Sequence, residues 1–150
     1  MIATPVEAEL ADRLREVDER LDVRFEPDLL PQPRFPSDHV GDPSFERTPS
    51  EERRFSELVA GAEVLYGFPR EDPQQIAWAV RTAPGLRYVQ ATFAGAGQQL
   101  AAAGLSREEL ERIQWASSAG VHATPLAEWS IFGILAFTKG LPRQIGRAHV

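Results

Sequence analysis

The sequence predicts an α/β protein in which a parallel sheet carries helices on both faces. Short apolar runs typical of strands alternate with amphipathic segments typical of helices along most of the chain. That alternation favours parallel strands joined by right-handed crossovers. The length of 150 residues fits one domain, and an apolar fraction of 43% is enough for an ordinary core.

The chain order supports this fold class element by element. Residues 7–21 carry an apolar stripe at helical spacing between charged residues, which predicts a surface helix. Residues 27–49 are rich in proline and polar residues and predict a long loop. Further helices are predicted over 50–60, with Ser50 as the N-cap, and over 73–81, 98–103 and 107–110. Strands are predicted over 2–6, 22–25, 62–68, 86–92 and 113–117.

A last helix, over residues 122–142, differs from the others because it is apolar on nearly every side. Thr124 is its predicted N-cap, Pro125 its first residue, and Gly140 with Pro142 its end. Such a helix is normally buried between two bodies of protein. A membrane span is disfavoured because spanning takes about 20 apolar residues, and this run is shorter and interrupted.

Composition excludes several classes of function. The net charge of −6 argues against binding to nucleic acid or to a membrane surface. The chain has no cysteine, which removes disulfides and thiolate metal sites, and it shows no signal peptide, so a cytoplasmic location is predicted. His39, His122 and His149 have no partner at metal-ligand spacing, so no metal site is expected.

Two loops follow predicted strands at the edge where ligands bind in sheets of this kind, residues 92–97 and 117–124. The first, within ATFAGAGQ, places two glycines between a strand and a helix, where backbone N–H groups can form a small anion site. On the residues alone, an ordinary tight turn in which glycine supplies a positive φ is the favoured interpretation, because a short glycine motif is a weak signal. The loop is not a G-x-G-x-x-G nucleotide fingerprint. His122, in the second loop, lies where it could face a ligand.

Two longer stretches carry a resemblance to an enzyme family. They are LRYVQATFAGAGQ (residues 86–98) and SSAGVHATPLAEWSIFGILAFTKGLPR (residues 117–143). Together with ATPVEAEL and EPDLLP nearer the start, they resemble the D-isomer-specific 2-hydroxyacid dehydrogenases over nearly the whole chain. The resemblance implies a flavodoxin-like substrate domain, a separate Rossmann domain for NAD or NADP, and a long interdomain helix that crosses between them.

The same resemblance implies roles for a few residues. The backbone N–H groups of Phe93, Ala94 and Gly95 would bind the carboxylate of a small 2-oxo or 2-hydroxy acid, and Leu126 would line the nicotinamide pocket. The family's catalytic Arg, Glu and His and its G-x-G-x-x-G loop come after the long helix, so no catalytic residue is expected in this chain, and His149 lacks the catalytic context. The intact enzyme is expected to be a homodimer.

These inferences divide the chain into a substrate domain over 1–121, an interdomain helix over 122–143 and a tail over 144–150. The last six residues, IGRAHV, match the translation of a common sequencing-adapter sequence. The tail is therefore expected to be non-native and the enzyme truncated. The alternative hypothesis is a stand-alone flavodoxin-like module that binds a small ligand or dimerises through the apolar helix, without catalysis.

Overall fold

A three-stranded parallel sheet lies at the centre of the computed structural model, which describes residues 1–70 and 72–147. Its strands are β1 (Val64–Tyr66), β2 (Tyr88–Gln90) and β3 (Gln114–Ala116), in that spatial order. Leu65 pairs with Val89 and Val89 with Trp115, so the strands run in register. The predicted α/β class and parallel pairing are confirmed, and each strand is shorter than the apolar run that predicts it.

Along the chain, helices come before β1, between successive strands and after β3. Their bounds are α1 (Ala8–Val17), a 3-10 helix (Pro27–Leu29), α2 (Pro49–Ala60), α3 (Pro73–Thr82), α4 (Ala96–Ala102), α5 (Arg107–Glu111), α6 (Ala123–Thr138) and α7 (Leu141–Arg147). Each helix predicted from the sequence is present, with ends that differ by a few residues.

The two strands predicted before residue 26 are wrong as strands. Ile2 forms one isolated parallel bridge to Tyr66, and its amide donates to the carbonyl of Arg24 at 2.9 Å. The amide of Ala3 donates to the carbonyl of Tyr66, also at 2.9 Å. Residues 22–25 therefore lie beside Ile2, and Ile2 beside β1, but the bonds are too few to make a ladder. The hydroxyl of Thr4 donates to the carbonyl of His39, on the long loop before α2.

One face of the sheet packs on α2 and α3 to form the hydrophobic core. Leu65 and Val89 are buried on this face, because side chains alternate between the faces of a strand. Phe55 of α2 and Ile76 of α3 meet them in the same cluster. The guanidinium of Arg47 lies 3.6 Å from the centre of the Phe55 ring, and its Nε donates to the carbonyl of Leu29 at 2.7 Å.

Two predicted helix caps are wrong. Thr48, not Ser50, is the N-cap of α2, and it forms a capping box with Glu51. Pro49 then takes the first helical position, which suits its fixed φ. In α6 the N-cap is His122, without a side-chain bond, and Thr124 lies inside the first turn.

The predicted end of the apolar helix at Gly140 is confirmed, since Gly140 has a φ of +64° just after α6. Pro142, however, lies within α7, so the chain resumes a helix where a stop was expected. The boundary predicted at residue 144 also falls inside α7, and His149 lies outside the described residues.

Contacts between Cα atoms divide the chain into two units, Met1–Ser118 and Ala119–Val150. The first holds the sheet and α1 to α5, and the second holds α6 and α7. The large apolar side chains of α6 are exposed in the single chain, and they surround the helix axis. Among the described helices, none is long and apolar enough to cross a membrane.

Candidate functional site

The loop that follows β2 lies at the carboxyl edge of the sheet. Ala91 continues beyond β2, and its amide donates to the carbonyl of Ala116 on β3 at 2.8 Å. The carbonyl of Ala91 accepts a bond from the hydroxyl of Ser118 at 3.0 Å. On the other side, the amide of Gly67 donates to the carbonyl of Gln90 at 2.8 Å. These bonds hold the beginning of the loop between the segments that follow β1 and β3.

Phe93 anchors this loop to the core. Its ring meets the ring of Phe68 edge to face, with centroids 5.6 Å apart, and it packs against the core cluster. Phe68 is buried, whereas Ala94 and Gly95 at the tip of the loop are exposed. The side chain of Phe93 is thus occupied in packing, and the loop offers a ligand mainly its backbone.

The backbone N–H groups of residues 93–95 are the donors that the tip of the loop would offer to a ligand. Within residues 1–70 and 72–147, no hydrogen bond is recorded from the amides of Phe93, Ala94 or Gly95. A Cβ built on Gly95 would meet no atom within 4 Å, so the space beside it is open. Adjacent backbone donors of this kind can bind a carboxylate or another small anion.

Gly95 does not need the conformational freedom of glycine. It is the N-cap of α4, with φ −81° and ψ 13°, values that any residue adopts. The alternative in which glycine supplies a positive φ in this turn is therefore wrong for Gly95. A side chain at position 95 would extend into open space, as it would at several other exposed glycines.

Glycine is required instead at Gly67, which was not among the residues predicted to matter. Gly67 has a φ of +79°, and a Cβ there would lie 2.3 Å from Cγ2 of Thr4. Its place directly after β1 is the one signal in the sequence that points to it. The close approach lets the chain after β1 pass against the N-terminal segment at the carboxyl edge.

The long loop before α2 is held in place by a buried carboxylate. Asp38 accepts bonds from the amides of Arg34, Val40 and Gly41, each at 3.1 Å. It also accepts bonds from the Arg34 guanidinium, whose Nε lies 2.7 Å from Oδ2. This guanidinium, together with the amide bonds, holds the pKa of Asp38 far below its usual range.

The two described histidines lie in different settings. The ring Nδ1 of His39 lies 3.1 Å from the carbonyl oxygen of Pro5, which gives His39 a structural role. His122 is an exposed residue at the start of α6. In the described part of the chain, no group of three or more His, Cys, Asp or Glu could hold a metal ion.

Leu126, the residue predicted to line a nicotinamide pocket, belongs to the second unit. It lies in the first turn of α6, and 64% of its surface is exposed. The Leu126 side chain is apolar, so it can pack against a neighbouring group but cannot form a hydrogen bond with it.

The other face of the sheet carries a cavity of about 510 Å³ that was not predicted. Tyr66, Tyr88 and Gln90 line it from the strands, and Leu14 and Leu21 line it from the α1 side. Burial alternates along β1 and β2: the central residues Leu65 and Val89 are buried, and the residues on either side of them are not. That alternation indicates a second, partly open face of the sheet. The lining combines apolar side chains with a polar pair, since the Tyr88 hydroxyl donates to Oε1 of Gln90.

Comparison of the chain with protein-family models, with curated proteins and with solved structures finds no match.

Proposed function

We propose that the chain is the substrate domain of an NAD- or NADP-dependent D-2-hydroxyacid dehydrogenase, and that the amides of Phe93, Ala94 and Gly95 bind the substrate carboxylate. The observation that carries the proposal is the set of three adjacent amides, without a recorded bond among the described residues, beside open space at the carboxyl edge of β2. An intact enzyme of this kind would exchange a hydride between the nicotinamide and a 2-oxo or 2-hydroxy acid, and a cytoplasmic location accompanies the proposal.

The spatial order of the chain segments supports the flavodoxin-like part of the proposal. Residues 22–25 bond to Ile2, Ile2 bridges to β1, and β1 is followed across the sheet by β2 and β3. If these two segments are counted with the three strands, the order along the chain is 2-1-3-4-5, the order of flavodoxin-like sheets. By that count β2 is fourth, and the loop after it takes the position to which the resemblance assigns carboxylate binding.

The chemistry assigned to this chain is binding. A carboxylate oxygen that accepts bonds from backbone N–H groups forms charge-assisted bonds, which are stronger than neutral ones. The described residues do not fit a dinucleotide: the 94–97 loop is not the G-x-G-x-x-G fingerprint, and Leu126 is an exposed apolar side chain with no polar group to hold one. No step of hydride transfer is therefore assigned to residues of this chain.

The test is a titration of the chain with oxamate, an unreactive analogue of a 2-oxo acid, followed by amide chemical shifts. We expect the largest shifts at Phe93, Ala94 and Gly95. Gly95→Val fills the open space with a Cβ and two methyls, so the affinity should fall at least tenfold, on the scale of one lost charge-assisted contact of about 1.5–3 kcal/mol.

Gly85→Val is the matched control. Gly85 lies before β2, outside the 92–97 loop, its φ is not positive, and a Cβ there also meets no atom within 4 Å, so this variant should fold and bind as the wild type does. Chemical-shift changes confined to other loops, or equal affinities of the two variants for oxamate, would show that residues 92–97 form an ordinary turn and do not bind a carboxylate.

A second candidate function is a stand-alone module that binds a small ligand or dimerises without catalysis. The half-covered cavity on the sheet and the exposed apolar side chains of α6 favour it. Translation of the genomic DNA beyond the codon for Arg143 separates the candidates. A Rossmann fingerprint downstream supports the dehydrogenase, and an in-frame stop supports the module.

A further inference from the structure

The cavity of about 510 Å³ on the second face of the sheet has an aromatic inner surface. Val64 and Tyr66 are alternate residues of β1, and Tyr88 and Gln90 are alternate residues of β2, so all four side chains lie on this face. Tyr88 is the register partner of Val64, and Gln90 is that of Tyr66. The two tyrosines are therefore diagonal neighbours on adjacent strands, close enough for one flat ring system to contact both.

The rest of the lining adds apolar contact area. Leu14 of α1 and Leu21 beyond it line the cavity, and Leu21 is 49% exposed in the single chain. The volume lies within the range of roughly 300–1,000 Å³ that small-molecule sites occupy. Such sites are mostly apolar, with a few polar groups that fix the orientation of the ligand. The cavity thus has the size and the lining of a site for a flat, largely apolar molecule.

Two polar side chains of the lining keep a hydrogen for which no acceptor is recorded. The Tyr88 hydroxyl donates to Oε1 of Gln90 at 2.9 Å, and Nε2 of Gln90 donates to the carbonyl of Ala91 at 3.0 Å. A carboxamide nitrogen has two hydrogens, so Gln90 retains one. Within residues 1–70 and 72–147, no hydrogen bond of the Tyr66 hydroxyl is recorded. Both groups are donors, so they favour a ligand that carries an acceptor.

The charged groups of the lining favour an uncharged ligand, because each of them already has a bond. These bonds are the ion pairs Arg20–Asp18, Arg24–Asp22 and Glu63–Arg87 and the bond from the Met1 amino group to the carbonyl of Val64. An ionic ligand would have to compete with these partners. If it lay on the apolar part of the strands instead, it would lose hydration without gaining a counter-ion.

We propose that the cavity binds an uncharged, flat aromatic molecule with a carbonyl group, whose ring packs against Tyr66 and Tyr88 and whose oxygen accepts a bond from the Tyr66 hydroxyl. A carbonyl oxygen has two acceptor sites, so it can also take the remaining N–H of Gln90. The inference names the class of ligand for the second candidate function, on which it rests. It involves no residue of the 92–97 loop, so it stands whether or not that loop binds a carboxylate.

The Tyr66 hydroxyl makes the site selective. A ligand without an acceptor would exclude water from this hydroxyl and leave it unpaired, whereas a carbonyl oxygen replaces the bond to water. Sites built to hydrogen-bond a polar group reject analogues that lack the group for this reason. The cavity should therefore distinguish two molecules of the same shape that differ in one oxygen.

The test is a titration of the chain with three naphthalenes, followed by amide chemical shifts. 2-Acetylnaphthalene carries the carbonyl, 2-ethylnaphthalene has nearly the same shape without it, and 2-naphthoate carries a charge. We expect shifts along β1 and β2, and an affinity for 2-acetylnaphthalene about tenfold higher than for either of the others. Tyr66→Phe keeps the ring and removes the hydroxyl, so it should lower the affinity for 2-acetylnaphthalene to about that for 2-ethylnaphthalene.

Phe137→Ala is the control, because α6 is another exposed apolar surface on which a naphthalene could adsorb. Phe137 is 87% exposed, so its loss should leave the fold and all three affinities unchanged. Circular dichroism checks the helix content of both variants. The comparison of the three compounds on the wild type needs no variant, so it decides the class of ligand even where Tyr66→Phe does not fold.

Each outcome separates the proposals. Shifts along β1 and β2 with equal affinities for the acetyl and ethyl compounds, or with tighter binding of 2-naphthoate, would overturn the class of ligand and leave the second candidate function standing. Shifts confined to α6, or none with any of the three compounds, would overturn the cavity as a site. The oxamate titration on the same samples reports separately on the 92–97 loop.

Discussion

Phe68 and Phe93 join the two loops that follow β1 and β2, through an edge-to-face contact with ring planes at 72°. Phe68 is buried in the core, so its ring gives Phe93 a fixed surface to pack against. The amides of Phe93 and its two successors are thus carried on a loop that is fixed at its first residue. A carboxylate site made of backbone donors depends on such an anchor, because the conformation of the loop alone determines where the N–H groups lie.

Phe93→Ala should reduce both stability and binding. Full burial of a phenylalanine is worth about 3–5 kcal/mol against alanine, and Phe93 is half-buried, so we expect a loss of about 1–3 kcal/mol in the free energy of unfolding. Urea denaturation measures that loss, and the oxamate titration measures the weakened affinity. Phe93→Leu, which keeps an apolar side chain of similar reach, should lose less of both. Affinity unchanged in Phe93→Ala would show that Phe93 does not position the loop.

Thr48→Ala should destabilise α2 more than Ser50→Ala does. The Thr48 side chain accepts a bond from the amide of Glu51, and the Glu51 carboxylate accepts one from the amide of Thr48 at 2.7 Å. Loss of an N-cap side chain costs about 1 kcal/mol, whereas Ser50 lies on the surface of the first turn. Urea denaturation of the two variants compares them directly. A larger effect at Ser50 would reverse the assignment of the cap.

The alternation of apolar runs and amphipathic segments predicts the fold class because both periods are local properties of the chain. The same signal overestimates strand length. Ala62 and Phe68, for example, are apolar because they pack in the core, but they lie outside the paired residues of β1. For α2 the sequence holds the correct signal: Thr48 has a Glu three residues later, and Ser50 has Arg53.

Other features depend on contacts between distant parts of the chain, which no local pattern records. Gly67 needs its positive φ because Thr4 lies against it, and that contact exists only after the sheet forms. Asp38 is one of many acidic residues in the sequence, and its burial follows from the way the loop folds around it. The position of residues 92–97 at the carboxyl edge could be predicted because they follow a strand, but the negative φ of Gly95 could not.

Asp38→Asn should change the pH dependence of stability. The pKa of Asp38 is lowered in the folded state, first by the Arg34 guanidinium and then by the amides of Arg34, Gly41 and Val40. An aspartate in an unfolded chain has a pKa near 3.9. A carboxylate with a lowered pKa stabilises the fold above the unfolded value, and that contribution is lost as the pH falls from the unfolded value towards the folded one. Wild type should therefore lose stability steeply below about pH 5.

The variant should already be less stable at pH 7, with a melting temperature lower by several degrees, because asparagine gives Arg34 no charge to pair with. Below about pH 4 its curve should approach that of the wild type, since unfolding of the wild type then takes up a proton at residue 38 and unfolding of the variant does not. Thermal melts between about pH 2.5 and pH 7 measure both curves. Asp12→Asn on exposed α1 removes one carboxylate without burial and serves as the control. Parallel curves for wild type and Asp38→Asn would mean that Asp38 does not hold the loop through its charge.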